Sequence, residues 1–250
     1  MEKYDIFFNE EKHEYYVLGV RVPSVSEILE FAGYQNNKFI DPIFATRGSF
    51  VHLVSEIIDK EGTIDYSIIP PEWIPFVTAY EWFKADTDYE IVKSEYKMFN
   101  QEHLYCGTSD REYAGKIQGD IKTGYYQAWH EIQLAAYMEV SNCETGVDIY
   151  LTKEGNYKVR KAKNLEFARK RFLSAVDGYW YHRKRDYNRL RKLMKEYENS
   201  IPSNPIVEKI DVKPEIETAI TDPEVIELNF EPVIPDTGTP KPGNPGIVIL

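Results

Sequence analysis

Between Gly115 and Thr123 the chain alternates strictly in polarity: Lys116, Gln118, Asp120 and Lys122 fall on one side, and Ile117, Gly119 and Ile121 on the other. That period belongs to an extended strand, and residues 107–113 supply a second strand just upstream. A three-residue loop of Ala114, Gly115 and Lys116 closes the pair into a hairpin and sets Asp110 directly across from Asp120. Opposed β-carbons lie roughly 4.5 to 5.5 Å apart, so two carboxylates meet there with a lysine two residues along.

The flanking pattern supplies the rest of a sheet and its covering helices. Residues 4–8 and 14–20 read as two short strands, and Pro23-Ser24 as the start of a helix over 25–31. A second helix is expected over 47–60, where Phe50, Val51, Val54, Ile57 and Ile58 form one apolar stripe and His52 and Glu56 lie on the other face. A third is expected over 71–84. Strands follow at 91–99, 107–113 and 116–123, then a helix over 127–140, a strand pair at 146–152 and 156–159, and one or two long helices over 164–198. The expected fold is α/β: a restriction-endonuclease-like core with a central mixed sheet flanked by helices. No internal repeat and no G-x-x-x-x-G-K-[ST] phosphate loop occurs, so a nucleotide cofactor is not expected.

Charge divides the chain. Its net charge of −11 argues, as an average, against a nucleic-acid partner. From Lys158 to Lys195, however, fourteen Lys or Arg stand against three acids, a local net of +11. Residues 201–250 carry three Lys against nine acids, and hold nine of the fourteen prolines. Such a segment buries too little apolar area to order itself, so a folded domain over 1–200 is expected, followed by an acidic, proline-rich, disordered tail. The tail ends in Gly246-Ile247-Val248-Ile249-Leu250, which reads equally as a frayed terminus and as a β-prone run able to join a partner's sheet edge. There is no run of about eighteen apolar residues and no secretory signal, which points to a cytoplasmic protein with no membrane partner. Cys106 and Cys143 are the only cysteines, too few for a four-thiolate iron–sulfur cluster in one chain.

Two carboxylates and a lysine on one strand face suit phosphodiester hydrolysis, which needs a cation to offset phosphate charge and a group to hold the attacking water. Oxygen ligands favour magnesium or manganese. On spacing alone, the same residues equally fit a solvated strand face on which Lys122 neutralises Asp120.

Several ordered motifs add to that choice. G-T-S-D ending at Asp110, D-x-K within GDIKTG, and Q-x-x-x-Y formed by Gln133 and Tyr137 resemble the RecB-like branch of the PD-(D/E)XK nuclease superfamily. VPSVSEIL and RGSFVHLVSEI resemble phage-encoded members, so the likeness covers residues 14–155. It implies that Asp110 and Asp120 bind the metal, that Lys122 positions the attacking water, and that His52 and Ile121 join the metal-holding positions. Gln133 and Tyr137 match a motif that contacts DNA. Glu95 matches a supporting acid, and Glu56 is a candidate partner for His52. Asp120 stands where many relatives have Glu, which shortens its reach by one methylene. The four cysteines of iron–sulfur members are absent, so no cluster is expected.

The expected activity is therefore a magnesium-dependent deoxyribonuclease, foremost an exonuclease in phage DNA recombination, repair or replication. Two rivals are a structure-selective or nicking endonuclease, and a nuclease-derived module that binds DNA without cutting it. The basic segment is the expected DNA-facing surface, with Arg183, Lys184 and Arg185 on the backbone and Tyr179, Trp180, Tyr181, His182 and Tyr187 interleaved for stacking. Its alternative is an ordinary solvated helix face. A recombination or single-strand-binding protein is the partner expected for the tail.

Overall fold

The computed structural model describes residues 3–36 and 41–201. Strands β1 (Ile6–Asn9), β2 (Glu14–Val17) and β3 (Val20–Val22) form an antiparallel three-stranded sheet. The strand expected over 14–20 is thus broken in two. Leu18 (φ 49°) and Gly19 (φ 71°) both take positive φ, and two such residues make the tight turn whose twist suits a hairpin. Helix α1 (Val25–Phe31) follows, capped by the Ser24 hydroxyl, which accepts from the Glu27 N–H.

Helix α2 (Pro42–Glu61) begins earlier than the apolar stripe suggested, because the Asp41 carboxylate accepts from the Ile43 N–H and Pro42 occupies the first turn. Helix α3 (Ile74–Asp86) leads into β4 (Ile91–Asn100), β5 (Tyr105–Tyr113) and β6 (Ile117–Lys122). Then come α4 (Ala128–Ser141), β7 (Thr145–Leu151), β8 (Tyr157–Lys161), α5 (Leu165–His182) and α6 (Lys184–Ser200).

Strands β4 to β8 form one sheet in sequence order, antiparallel throughout except between β6 and β7. A parallel pair needs a crossover, and α4 provides it. The sheet is therefore mixed, as the sequence pattern indicated, and helices cover both faces. On one side α1, α4 and α5 pack with the N-terminal sheet around Phe172, Tyr105, Ile28 and Leu29. On the other, Val51, Val54 and Ile58 of α2 and Phe76, Tyr80 and Phe83 of α3 meet Tyr113, Ile121, Val147, Ile149 and Leu151.

The β5–β6 hairpin has the register expected from its loop: Arg111 pairs with Gly119, Glu112 with Gln118 and Tyr113 with Ile117. Gly115 (φ 76°) and Lys116 (φ 60°) make the turn. Gly119 also serves a packing need. A β-carbon there would fall on the Tyr113 ring, which lies across the hairpin.

The basic segment becomes β8 and two helices that break at Arg183, not one continuous helix. Among the described residues no helix is long and apolar enough to cross a membrane. The expectations for the acidic segment from Pro202 to Leu250 lie outside the described residues.

Candidate active site

Strand register assembles a row of acids across the sheet. Continuing β4–β5 pairing between Ser94↔Arg111 and Tyr96↔Ser109 puts Glu95 beside Asp110, and continuing β5–β6 pairing beyond Arg111↔Gly119 puts Asp110 beside Asp120. Asp120 pairs with Asp148 on β7, and Asp148 with Arg160 on β8. Asp110, Asp120 and Asp148 are all buried. The β5–β6 backbone ladder ends just before the acids, and the Asp110 Oδ2 accepts the Ile121 N–H at 2.7 Å in its place.

His52 of α2 closes the site from the helix side. Its Nε2 lies 3.0 Å from the Ile121 carbonyl, and its Nδ1 lies 3.4 Å from Asp110 Oδ1 and 3.5 Å from Glu95 Oε1. One donor atom each from His52, Glu95 and Asp110 falls within 4.8 Å of the others. Both ring nitrogens face acceptors, so both carry protons when nothing else occupies them. Burial disfavours that charge, but Asp110 and Glu95 outweigh it and raise the imidazole to about 10.

Glu95 is held in an unusual conformation. Its φ is 44°, a left-handed value for a non-glycine residue inside a strand. The tie is Arg111, which is fully buried. Its Nη1 donates to Glu95 Oε1 (2.9 Å) and to the Asp110 carbonyl (2.6 Å), its Nε to Asp59 Oδ2 (2.7 Å), and its Nη2 to the Ser55 hydroxyl (2.8 Å). Asp59 is in turn met by the Tyr80 hydroxyl and by Lys84. A buried guanidinium with every edge used fixes the acids around it.

Lys122 and its surroundings occupy the α4 side. Its ammonium pairs with Asp120, donates to Gln133 Oε1 at 2.6 Å, and lies 5.5 Å from the centre of the Trp129 ring. Burial works against its charge, but Asp120, Asp110 and Asp148 outweigh burial and raise its pKa, so the group is an ammonium with donors to spare. It suits the holding of a water or phosphate oxygen rather than the removal of a proton.

The carboxylates titrate apart. Burial pushes Asp120 up to about 7, with Asp110 and Asp148 adding to it against the pull of Lys122. Asp148 is raised to about 6, again by burial first. Burial also works to raise Asp110, but His52, Lys122 and the Ile121 N–H together hold it below the usual range. Asp110 adds to the rise of both Asp120 and Asp148, and the buried Asp148 Oδ1 has no hydrogen-bond partner. One imidazole, several carboxylates and the Ile121 carbonyl fit a hard divalent cation such as magnesium or manganese.

Several expected positions are placed differently. Glu56 ion-pairs with Lys60 one turn along α2 rather than with His52. Gln133 and Tyr137 are buried, the former bonding Lys122 and donating to the Tyr137 hydroxyl at 3.2 Å, so they support the lysine from inside. Tyr179 and Trp180 are core residues, while Tyr181 and the cations Arg183, Lys184 and Arg185 are exposed at the α5–α6 break.

Asp148, Arg111 and Asp59 were not singled out from the sequence. Asp148 had a signal, since it is the one charged residue in the otherwise apolar run Gly146 to Leu151. A third acid inside a buried strand asks for a partner.

No family model matches the chain, and no curated protein does. Among solved structures it is similar to an alkaline exonuclease (LHK-Exo) from Laribacter hongkongensis, at 12% identity over 65% of this chain and 93% of that one, with a TM-score of 0.33. The same enzyme in complex with dAMP gives 11%, 68%, 94% and 0.34. A protein described as SSO0001 gives 17%, 52%, 74% and 0.29. Likenesses this distant assign neither family nor activity, and the functional reading rests on the site.

Proposed function

We propose that this chain is a divalent-metal-dependent deoxyribonuclease, an exonuclease of the RecB-like kind. The observation that carries the reading is the joining of His52, Glu95 and Asp110 within 4.8 Å, next to an Asp120–Lys122 pair on the adjoining strand. His52, Asp110, Asp120 and the Ile121 carbonyl are the groups to hold magnesium or manganese, with Glu95 in support.

Such a cation offsets charge on the phosphate and acidifies a bound water. The protein's own part is to place and hold. Arg111 fixes Glu95 and the Asp110 backbone, and Asp110 ties β5 to the Ile121 N–H. Lys122, steadied by Gln133, offers N–H donors to the attacking water or to a phosphate oxygen. Hydrolysis joins the water oxygen to phosphorus and releases the sugar oxygen as a hydroxyl.

The purified chain, incubated with end-labelled linear duplex, closed circular duplex and single strands, tests both levels of the reading. Release of short products from linear DNA with magnesium, and none in chelator, is expected. Cleavage of the closed circle overturns the exonuclease assignment, and no cleavage of any substrate with magnesium or manganese overturns the nuclease.

A further inference from the structure

A second feature adjoins Lys122. Where the end of α1 and the starts of α4 and α5 converge, they enclose a cleft of about 440 Å³. Its walls include Tyr34, Tyr126, Trp129, Phe167 and Arg171. Two of these rings are exposed, Phe167 at 53% and Tyr126 at 40%, while Tyr34 and Trp129 are partly buried against the core.

Each ring already has a cation against it. Arg171 lies 5.3 Å from the Tyr34 centroid and 5.1 Å from that of Phe167, and Arg160 lies 3.5 Å from that of Tyr126. Trp129 both lines the cleft and lies beneath the Lys122 ammonium. Glu131 is the acid of the lining, and Arg160 stands 3.9 Å from it. Planar rings interleaved with guanidinium groups suit bases on the rings and phosphates on the cations. A base shows its face to a side chain only when it is unpaired and splayed from its neighbours. At the α5–α6 break, by contrast, Tyr179 and Trp180 are buried and leave Tyr181 as the exposed tyrosine beside Arg183, Lys184 and Arg185.

We propose that this cleft binds an unpaired nucleic-acid strand and delivers it to Lys122, with bases stacked on Trp129, Tyr126 and Phe167 and a phosphate on Arg171. The role given to this strand rests on the nuclease reading, whereas the binding itself does not. The test is fluorescence polarisation of a labelled oligothymidylate with the full chain in chelator, where cleavage cannot contribute. The double variant Phe167→Ala, Arg171→Gln changes two exposed residues and should weaken single-strand binding about tenfold or more, while a blunt duplex of equal length shifts by less than about twofold. Trp82→Ala removes an aromatic that is 49% exposed but outside the cleft, and should keep wild-type affinity. Unchanged single-strand affinity in the double variant, or an equal loss on duplex, overturns the inference. A chain that binds the strand through these residues yet cuts nothing retains the cleft and loses the nuclease. A chain that cuts while its single-strand affinity ignores Phe167 and Arg171 does the reverse.

Discussion

Asp110 Oδ2 accepts the Ile121 N–H at 2.7 Å, so the side chain of the first acid is bonded to the residue that follows the second. The two strands part at this point, and the carboxylate takes the place of the missing backbone acceptor. His52 then bridges from α2 to both sides of that bond, through the Ile121 carbonyl and Asp110 Oδ1. The geometry of the acids is thereby set by the hairpin and by one helix together.

A cation at this site must compete with the His52 proton, because both ring nitrogens face acceptors and the imidazole is raised to about 10. Metal binding should therefore release a proton and strengthen as pH rises. Calorimetric titration with manganese in buffers of different ionisation enthalpy reads the proton directly. His52→Gln should reduce that proton release to the share Asp120 contributes, and weaken binding about tenfold. Proton release that persists undiminished in the variant places the titrating group elsewhere.

Arg111→Met leaves Asp59 and Glu95 facing each other's field, with Lys84 beside Asp59 and His52 beside Glu95 in partial compensation. Removing one partner from such a buried network costs about 3 to 5 kcal/mol, which urea unfolding will read. Metal binding by the folded fraction should weaken as Glu95 loses its tie. An unchanged metal-binding midpoint in the variant removes Arg111 from the support of the site.

Gly119→Ala sets a methyl group on the Tyr113 ring and should cost about 1 to 3 kcal/mol, by overpacking rather than by lost burial. Combined with Tyr113→Ala, the same change should cost little, and the double-mutant cycle measures the difference. Equal costs in both backgrounds mean that the hairpin, not the ring, requires glycine.

His130 carries the opposite pH dependence from His52. Burial first, then Lys122 and Arg160, depress it to about 3, and its Nδ1 lies 2.7 Å from the Tyr150 hydroxyl. The unfolded chain takes up a proton at its ordinary value near 6.5 that the folded chain refuses, so stability is full above that pH. It is lost as pH falls from there towards 3, at up to about 1.4 kcal/mol per pH unit. His130→Gln should flatten this part of the stability profile, measured by urea unfolding between neutral and mildly acid pH. An equally steep decline in the variant assigns the acid sensitivity to other groups.

Local pattern made the hairpin legible. Strict alternation, a Gly115 turn and a short loop fix a register that needs no distant part of the chain, and with it the meeting of Asp110 and Asp120. Positions set by contacts far apart in sequence were harder to read. Asp148 reaches Asp120 only through the parallel β6–β7 pairing, and Arg111 finds Asp59 across a helix–sheet interface. Glu56 shows the limit of helical spacing, since Lys60 stands the same four residues from it as His52, whose ring is turned to Glu95 and Asp110 instead. In α5 the composition drew attention to charge, whereas Ala168, Phe172, Ala175, Val176 and Tyr179 recur at three- and four-residue steps and mark a buried stripe.

Single-turnover cleavage of end-labelled DNA by the wild-type chain, Asp120→Asn and Lys122→Ala, with magnesium and with chelator, tests the central claim. The wild type should cut only with the metal, and each variant, assayed where it is folded, should slow the chemical step about a hundredfold or more. Wild-type rates in either folded variant, or cleavage that persists in excess chelator, contradict the account.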